Sequence, residues 1–357
     1  MKRTALLALG AAAALVAVFG ANIGGVHLRA VARVLFLATG VIIIALAAYL
    51  LAGSRLRAHL AANRSRYLQA AAAIAFFLTG AAVLAAYTYF ASLGTWTHWD
   101  PTTNYYERLA MAFRAGHPYV LQPPDPALLA LPNPYNPSAR KGIPEAGAGD
   151  PNTLWDMSLY NGRAYPYWGP APALLLVGIR AFYPGEIGDQ ILTFAFLAGS
   201  FIFESLILIY LRRRFFSDVP AWTVIPGMLL SGFANPVPWL LFLPRIYEAA
   251  ISAGQFFLMA GLYFVCRGLG GERVSTGTIA LASFFLVGAV ASRATLAIPV
   301  AFFALMVLIW LLRLEDSTRS IGARLRSAAS FAAPLFAAAL ALAWYNFIRF
   351  DSVLEFG

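Results

Sequence analysis

Residues 190–214 read QILTFAFLAGSFIFESLILIYLRRR, an apolar run with one charged residue, Glu204, that ends in three consecutive arginines. A helix needs about 20 apolar residues to cross the hydrocarbon core of a bilayer, and this run is long enough. Arginines directly after an apolar span mark the cytoplasmic side of a membrane. The stretch therefore predicts a transmembrane helix and an all-α polytopic membrane protein.

The composition excludes a water-soluble globular protein, because 60% of the residues are hydrophobic and 12% are charged, against about 25% charged in soluble domains. The formal net charge is +10, but the basic residues cluster beside apolar runs. This distribution fits topology signals and anionic headgroups, so we expect membrane lipids, and no nucleic acid, as partners. The single cysteine, Cys266, excludes an intrachain disulfide and a cysteine-based metal cluster.

Apolar runs predict about nine transmembrane helices, at residues 5–22, 34–52, 67–93, 190–211, 219–236, 247–266, 277–291, 294–312 and 328–345. The first run follows Met1-Lys2-Arg3 and could pass for a signal peptide, but no polar domain comes after it, which favours a membrane helix. When every run crosses, the basic clusters lie on the side of the N-terminus. We therefore expect a cytoplasmic N-terminus, with residues 94–170 outside.

These runs divide the chain into three parts: N-terminal transmembrane helices (1–93), an outer loop (94–189) and a second transmembrane bundle (190–357). The outer loop is rich in aromatic residues, unlike disordered segments. We therefore expect it to fold against the membrane interface.

Three segments of the outer loop carry structural predictions. Residues 102–115 predict an amphipathic helix, with Glu107 and Arg114 off its apolar face, that ends at Gly116. Residues 123–151 are rich in Pro, Gly and Asn, which predicts irregular structure. Residues 171–184 are apolar but too short to cross, which predicts an interfacial or re-entrant helix.

Asn161-Gly162 is a strong signal for a two-residue β-hairpin turn between short aromatic strands. One interpretation is a hairpin whose rings belong to the aromatic belt of the membrane. The other is a binding platform on which a sugar stacks against ring faces and Arg163 holds a phosphate through its planar fork. The candidate sugar- or lipid-binding residues are Trp155, Tyr167 and Trp168.

Asp100 lies a few residues beyond the third apolar run, in the sequence Trp96-Thr97-His98-Trp99-Asp100-Pro101. A carboxylate at this height can take a proton from an acceptor hydroxyl. An aspartate before proline is also typical of a helix N-cap. Capping lowers the pKa of a carboxylate, so the two roles compete.

Three other charges stand at or within the predicted spans. Arg245 and Arg293 lie at the outer ends of apolar runs, where they either neutralise a lipid-linked phosphate or snorkel to headgroups. Glu204 lies inside a span, where we expect a tyrosine or arginine partner.

Motifs for zinc proteases, dinucleotide binding, P-loops and serine hydrolases are absent from the sequence. His98 and His117 can share a divalent metal with Asp100, but two isolated histidines are a weak signal. We expect no cofactor.

Several blocks of the sequence resemble the GT-C superfamily of integral-membrane glycosyltransferases, in particular bacterial members similar to protein O-mannosyltransferases and aminoarabinose transferases. The likeness covers about residues 95–357. Its blocks are Asp100 with the Tyr-rich helix that follows, NPYNPSAR (133–140), WDMSLYNG (155–162), YWGP (167–170), ASR (291–293), WYNFIRF (344–350) and EFG (355–357).

The resemblance implies an inverting hexosyl- or pentosyltransferase of the bacterial inner membrane. The donor would be a polyprenyl-phosphate sugar, and the acceptor a lipid, glycan or protein at the outer face. Asp100 corresponds to the loop aspartate of the family, but Pro101 replaces the glutamate that often follows. A second carboxylate would then come from Asp156 or Glu248. Relatives continue beyond the position of Gly357, so we expect the bundle to be truncated.

Two other classes of protein stay open. A transporter or lipid flippase would pair ionisable groups at mid-membrane and often shows internal repeats. A non-catalytic membrane scaffold would need neither the outer carboxylates nor Arg163, Arg245 and Arg293. The sequence does not indicate an oligomeric state.

Overall fold

The computed structural model describes residues 12–13, 16, 36–43, 64–99, 102–144, 150–234, 236–271, 274–313 and 320–356. The chain divides into two compact units, Met1–Ile74 and Ala75–Gly357. In the first unit, all of the described residues are helical. The second unit contains the remaining helices and a β-hairpin.

The described residues form mostly helices, as the sequence predicts. The helices are Arg64–Ala91 (α1), Tyr105–Arg114 (α2), Pro126–Leu129 (α3), Ala171–Ile179 (α4), Asp189–Phe215 (α5), Val224–Phe233 (α6), Val237–Phe242 (α7), Ile246–Leu269 (α8), Thr276–Ser292 (α9), Ala297–Leu312 (α10) and Ile321–Phe350 (α11). Short 3₁₀ turns at Ala221–Thr223 and Ala294–Leu296 precede α6 and α10.

Five of the helices in the described part of the chain are long and apolar enough to cross a membrane: α1, α5, α8, α10 with its 3₁₀ turn, and α11. The chain is thus a multi-pass, mainly helical membrane protein. The predicted runs at 219–236 and 277–291 form the shorter apolar helices Ala221–Phe233 and Thr276–Ser292. The runs at 5–22 and 34–52 lie largely outside the described residues, so the count of nine stays a prediction.

Small residues bring the central helices together. Helix α8 packs against α5 and α9, and α9 packs against α11. A Cβ at Gly261 of α8 would lie 2.8 Å from the Leu286 side chain of α9, so any other residue would force that side chain to move. Such close contact is the main source of helix association where lipid removes the hydrophobic drive.

Glu204 lies within α5 and is hydrogen-bonded to three neighbours. Its Oε1 accepts hydrogen bonds from the Ser200 hydroxyl at 3.1 Å and the Gln255 amide at 2.8 Å. Its Oε2 accepts one from the Ser231 hydroxyl. The predicted tyrosine partner is present only as an electrostatic neighbour, since Tyr87 lies within range of the Glu204 charge. The hydrogen bonds come from neutral donors on its own helix, α6 and α8.

A carboxylate from the start of α5 anchors the outer segment. Asp189 is fully buried and accepts hydrogen bonds from the backbone N–H groups of Tyr105 at 3.1 Å and Tyr106 at 3.4 Å. It also accepts one from the Thr103 hydroxyl. Asp189 thus satisfies N–H groups that the first turn of α2 leaves free.

The predicted amphipathic helix is confirmed as α2, but with two corrections. It begins at Tyr105, so the interpretation of Asp100 as its N-cap is wrong, and Asp100 itself lies outside the described residues. Glu107 is buried rather than off the apolar face. It forms an ion pair with Arg180, at the end of α4, which ties the two loop helices together.

The predicted hairpin is confirmed. Strands β1 (Met157–Tyr160) and β2 (Arg163–Pro166) pair antiparallel, with Tyr160 opposite Arg163. Asn161 and Gly162 both have positive φ, 48° and 71°, as a type I′ turn requires. The described part of 123–151 is irregular apart from α3, where Asp125 caps the Ala127 N–H at 2.7 Å.

Candidate functional site

The candidate site is built around Arg293, which connects α9 to the 3₁₀ turn before α10. Its guanidinium carbon lies 5.1 Å from the ring centre of Trp168 and 5.3 Å from that of Tyr247. The two rings also meet edge to face, 5.1 Å apart. Arg293 is therefore held against an indole and a phenol by cation–π contacts.

Gly169 sets the distance between the end of the hairpin segment and α9. A Cβ at this position would lie 2.1 Å from the carbonyl oxygen of Ala291. No side chain fits there, because the obstacle is backbone. Glycine thus lets the Tyr167-Trp168 dipeptide reach the end of α9, where Arg293 is located.

Asp156 directly precedes β1, and its carboxyl lies next to the Trp168 side chain. It is half-buried, has a positive φ of 54°, and accepts a hydrogen bond from the Tyr167 N–H through its backbone carbonyl at 3.0 Å. Burial raises the pKa of the Asp156 carboxyl, while the Trp168 N–H and the Arg245 charge act in the opposite direction. The buried indole N–H approaches the carboxyl without completing a hydrogen bond to any described residue.

Arg245 and Glu248 lie at the start of α8. The Arg245 guanidinium carbon lies 5.5 Å from the ring centre of Trp155, whose side chain is 64% exposed. The Glu248 carboxylate is buried and accepts the backbone N–H of Arg245 at 3.1 Å. Glu248 therefore has a helix-capping function, and its catalytic role stays a prediction.

A cavity of about 380 Å³ opens beside Arg293. Its wall is formed by Tyr167 to Pro170, the C-terminal end of α9, the start of α10 with the 3₁₀ turn before it, and the last turns of α11 with the segment after it. Among the described residues that line it, the charged ones are Arg293 and Arg349, and none is a carboxylate. The rest of the wall is largely apolar.

Arg349 is the second cation of the cavity and is 4% exposed. Its guanidinium carbon lies 4.3 Å from the ring centre of Phe350 and 4.7 Å from that of Tyr345. One nitrogen, Nη2, donates to the carbonyls of Pro166 at 3.4 Å and Phe356 at 3.5 Å. Sequence reasoning missed Arg349 as a site residue, although it ends an apolar helix as Arg293 does.

Tyr106 of α2 lies within electrostatic range of the same groups. Its hydroxyl is buried and has no hydrogen-bond partner within the described part of the chain. Burial raises the pKa of Tyr106 well above its ordinary value, and the charge of Asp189 adds to this rise, whereas Arg293 acts against it. The hydroxyl is therefore neutral and remains a donor.

The structure brings most of the predicted site residues into one region. Trp155, Asp156, Tyr167, Trp168, Arg245 and Arg293 form a continuous group of contacts. Arg163 lies elsewhere, at the turn of the hairpin, with its guanidinium carbon 4.3 Å from the ring centre of Tyr119. In the described ranges, no three His, Cys, Asp or Glu side chains are grouped as metal ligands.

Comparisons of the chain with protein families, curated proteins and solved structures find no match. The site is therefore interpreted from its own geometry.

Proposed function

We propose that this protein is a membrane glycosyltransferase of the GT-C type, which transfers a sugar from a polyprenyl-phosphate donor to an acceptor at the outer face of the bacterial inner membrane. The observation that carries the proposal is Arg293, an arginine held against two aromatic rings in the wall of a largely apolar cavity. Such a cavity suits a ligand with a phosphate at one end and a hydrocarbon chain at the other.

The phosphate would bind to Arg293. Among the described residues, no carboxylate lines the cavity to compete for this guanidinium. An arginine donates two parallel hydrogen bonds to a phosphate, and the bond strengthens as the leaving phosphate gains charge. The exposed ring of Tyr167 at the cavity wall supplies a face for the sugar.

In the reaction, the oxygen of the acceptor attacks the anomeric carbon, the bond from that carbon to the phosphate oxygen breaks, and the configuration inverts. The proton of the acceptor hydroxyl passes to a carboxylate. Asp156 is one candidate, because burial raises the pKa of its carboxyl and so makes it a better base. Asp100 stays the candidate that the resemblance implies.

The test uses purified protein in proteoliposomes with a panel of labelled polyprenyl-phosphate hexoses and pentoses, and with solubilised cell-envelope lipids, glycans and proteins as acceptors. We expect loss of labelled sugar from one lipid, and that this loss is abolished in Arg293→Gln and in either Asp156→Asn or Asp100→Asn. Arg114→Gln is the matched control, because Arg114 is exposed at the end of α2. Movement of the lipid between leaflets without loss of sugar would favour the flippase alternative, and neither result would favour a scaffold.

A further inference from the structure

The cavity beside Arg293 carries a double positive charge. Arg293 and Arg349 both line it, and none of its described lining residues is an aspartate or glutamate. Neither arginine forms an ion pair with a described carboxylate. A ligand with two negative charges would balance this site, whereas a ligand with one would leave an excess cation.

The polar groups in the wall are mainly donors. The Nε of Arg349 is buried without a hydrogen-bond partner in the described part of the chain. The buried hydroxyl of Tyr345 lies against the Arg349 guanidinium and completes no hydrogen bond to a described residue. Buried donors without acceptors are rare in folded proteins and call for a partner. Phosphate oxygens are acceptors only, so one phosphate group can accept from several of these donors.

The aromatic contacts keep both guanidinium groups in place without using their N–H groups. Rings of Trp168 and Tyr247 hold Arg293, and rings of Tyr345 and Phe350 hold Arg349. A cation–π contact is made by the charge of the guanidinium, which leaves its N–H donors for a ligand. The carbonyl contacts of Arg349, at 3.4 and 3.5 Å, are long for hydrogen bonds.

The rest of the cavity wall is mostly apolar and suits the hydrocarbon chain of a lipid ligand. Val290, Ala297, Leu342 and Ala343 line the cavity and come from α9, α10 and α11. Two of these helices, α10 and α11, are long and apolar enough to span a membrane. The ligand therefore combines a hydrocarbon chain with the charged head.

We propose that this cavity selects lipids whose head carries two negative charges, a phosphomonoester or a diphosphate, over phosphodiester lipids, which carry one. Arg349 is the specificity-determining residue, since it supplies the second positive charge. This inference rests on the proposed function in taking a lipid phosphate as the ligand. A dianionic head has two sources: a donor sugar linked through diphosphate, or the polyprenyl monophosphate that a monophosphate-linked donor leaves behind.

The probes are farnesyl phosphate, farnesyl diphosphate capped as a methyl ester on its terminal phosphate, which leaves it two negative charges, and methyl farnesyl phosphate. Their dissociation constants are measured with the protein in phosphatidylcholine nanodiscs at pH 7.5. We expect the first two to bind at least about tenfold more tightly than the methyl diester, as for a charged hydrogen bond. At pH 5 the monoester, whose second pKa is about 6, should lose its advantage, and the diphosphate should keep it. A tighter diphosphate at pH 7.5 indicates a diphosphate-linked donor; a monoester of equal or higher affinity indicates the product.

Arg349→Gln should reduce the preference to about twofold or less, and Arg114→Gln should keep it. If Arg349→Gln does not fold, Arg293→Gln, which removes the other positive charge of the cavity, is measured in the same way and should narrow the preference. Arg349→Lys, which keeps the charge, should keep most of the preference. Equal binding of the diester and the monoester would overturn the inference. So would cardiolipin competing as well as farnesyl phosphate, because cardiolipin carries two separate diesters. Sugar transfer without the preference refutes this inference alone, whereas the preference without sugar transfer refutes only the proposed function.

Discussion

Gly169→Ala tests whether the approach of the hairpin segment to α9 builds the site. The new Cβ would lie 2.1 Å from the Ala291 carbonyl oxygen and 2.7 Å from its carbonyl carbon. Ordinary van der Waals contact begins at 3.4 Å, so one of the two backbones must move by about 1.3 Å. Overpacking of this kind costs about 1–3 kcal/mol, and we expect the upper part of that range because backbone cannot rotate away.

The same movement separates Trp168 from Arg293. We therefore expect Gly169→Ala to lower the thermal midpoint in detergent and to weaken farnesyl phosphate binding about tenfold. The matched control is Gly178→Ala, in the nearby loop helix α4, where a Cβ meets nothing within 4 Å. That change should leave binding unaltered and stabilise the helix by about 0.5–1 kcal/mol. A Gly169→Ala protein with the midpoint and affinity of the parent would refute the reasoning.

Three further predictions concern the charges and the topology. Burial raises the folded-state pKa of Asp156 above its unfolded value, so the folded protein binds this proton more tightly and its stability falls as the pH rises between the two values. Asp156→Asn should remove this loss of stability, which is measured as a smaller decrease of the thermal midpoint between pH 4 and pH 7. A pH profile equal to that of the parent would contradict the prediction. Arg293→Lys keeps the charge but loses the planar fork, so lipid-phosphate binding, measured as a dissociation constant, should weaken by about 1–3 kcal/mol; unchanged binding would make Arg293 a headgroup anchor. In a variant without Cys266, an impermeant thiol reagent applied from outside should label Glu145→Cys and spare Ser217→Cys, and the reverse pattern would overturn the orientation.

The sequence predicts best where neighbouring residues determine the structure. Asn161-Gly162 specifies its turn because both positions require positive φ, and the structure has that turn. The long apolar runs predict their helices for a similar reason, since each satisfies its own backbone hydrogen bonds within the segment. Membership in the all-α membrane class follows from these local patterns.

The sequence does not predict polar contacts whose two partners are far apart in the chain. The carboxylate that holds the start of α2 is Asp189, 84 residues beyond Tyr105, and not the nearby Asp100. Glu107 has the pattern of an exposed residue, but Arg180 makes its burial tolerable by forming an ion pair 73 residues away. Neither contact can be recognised from the residues on either side of Asp189 or Glu107, because the partner that offsets the cost of burying each charge comes close only when the chain is folded.

The candidate site lies between these two cases. Arg293 can be singled out from sequence, since it is a lone charge between apolar helices, and so can the aromatic cluster before it. Arg349 has the same signal, yet its role depends on segments near residues 166, 293 and 349 meeting at one cavity. Only this assembly shows that two cations share a wall in which no described lining residue is a carboxylate, and the proposal of a dianionic ligand rests on that charge count.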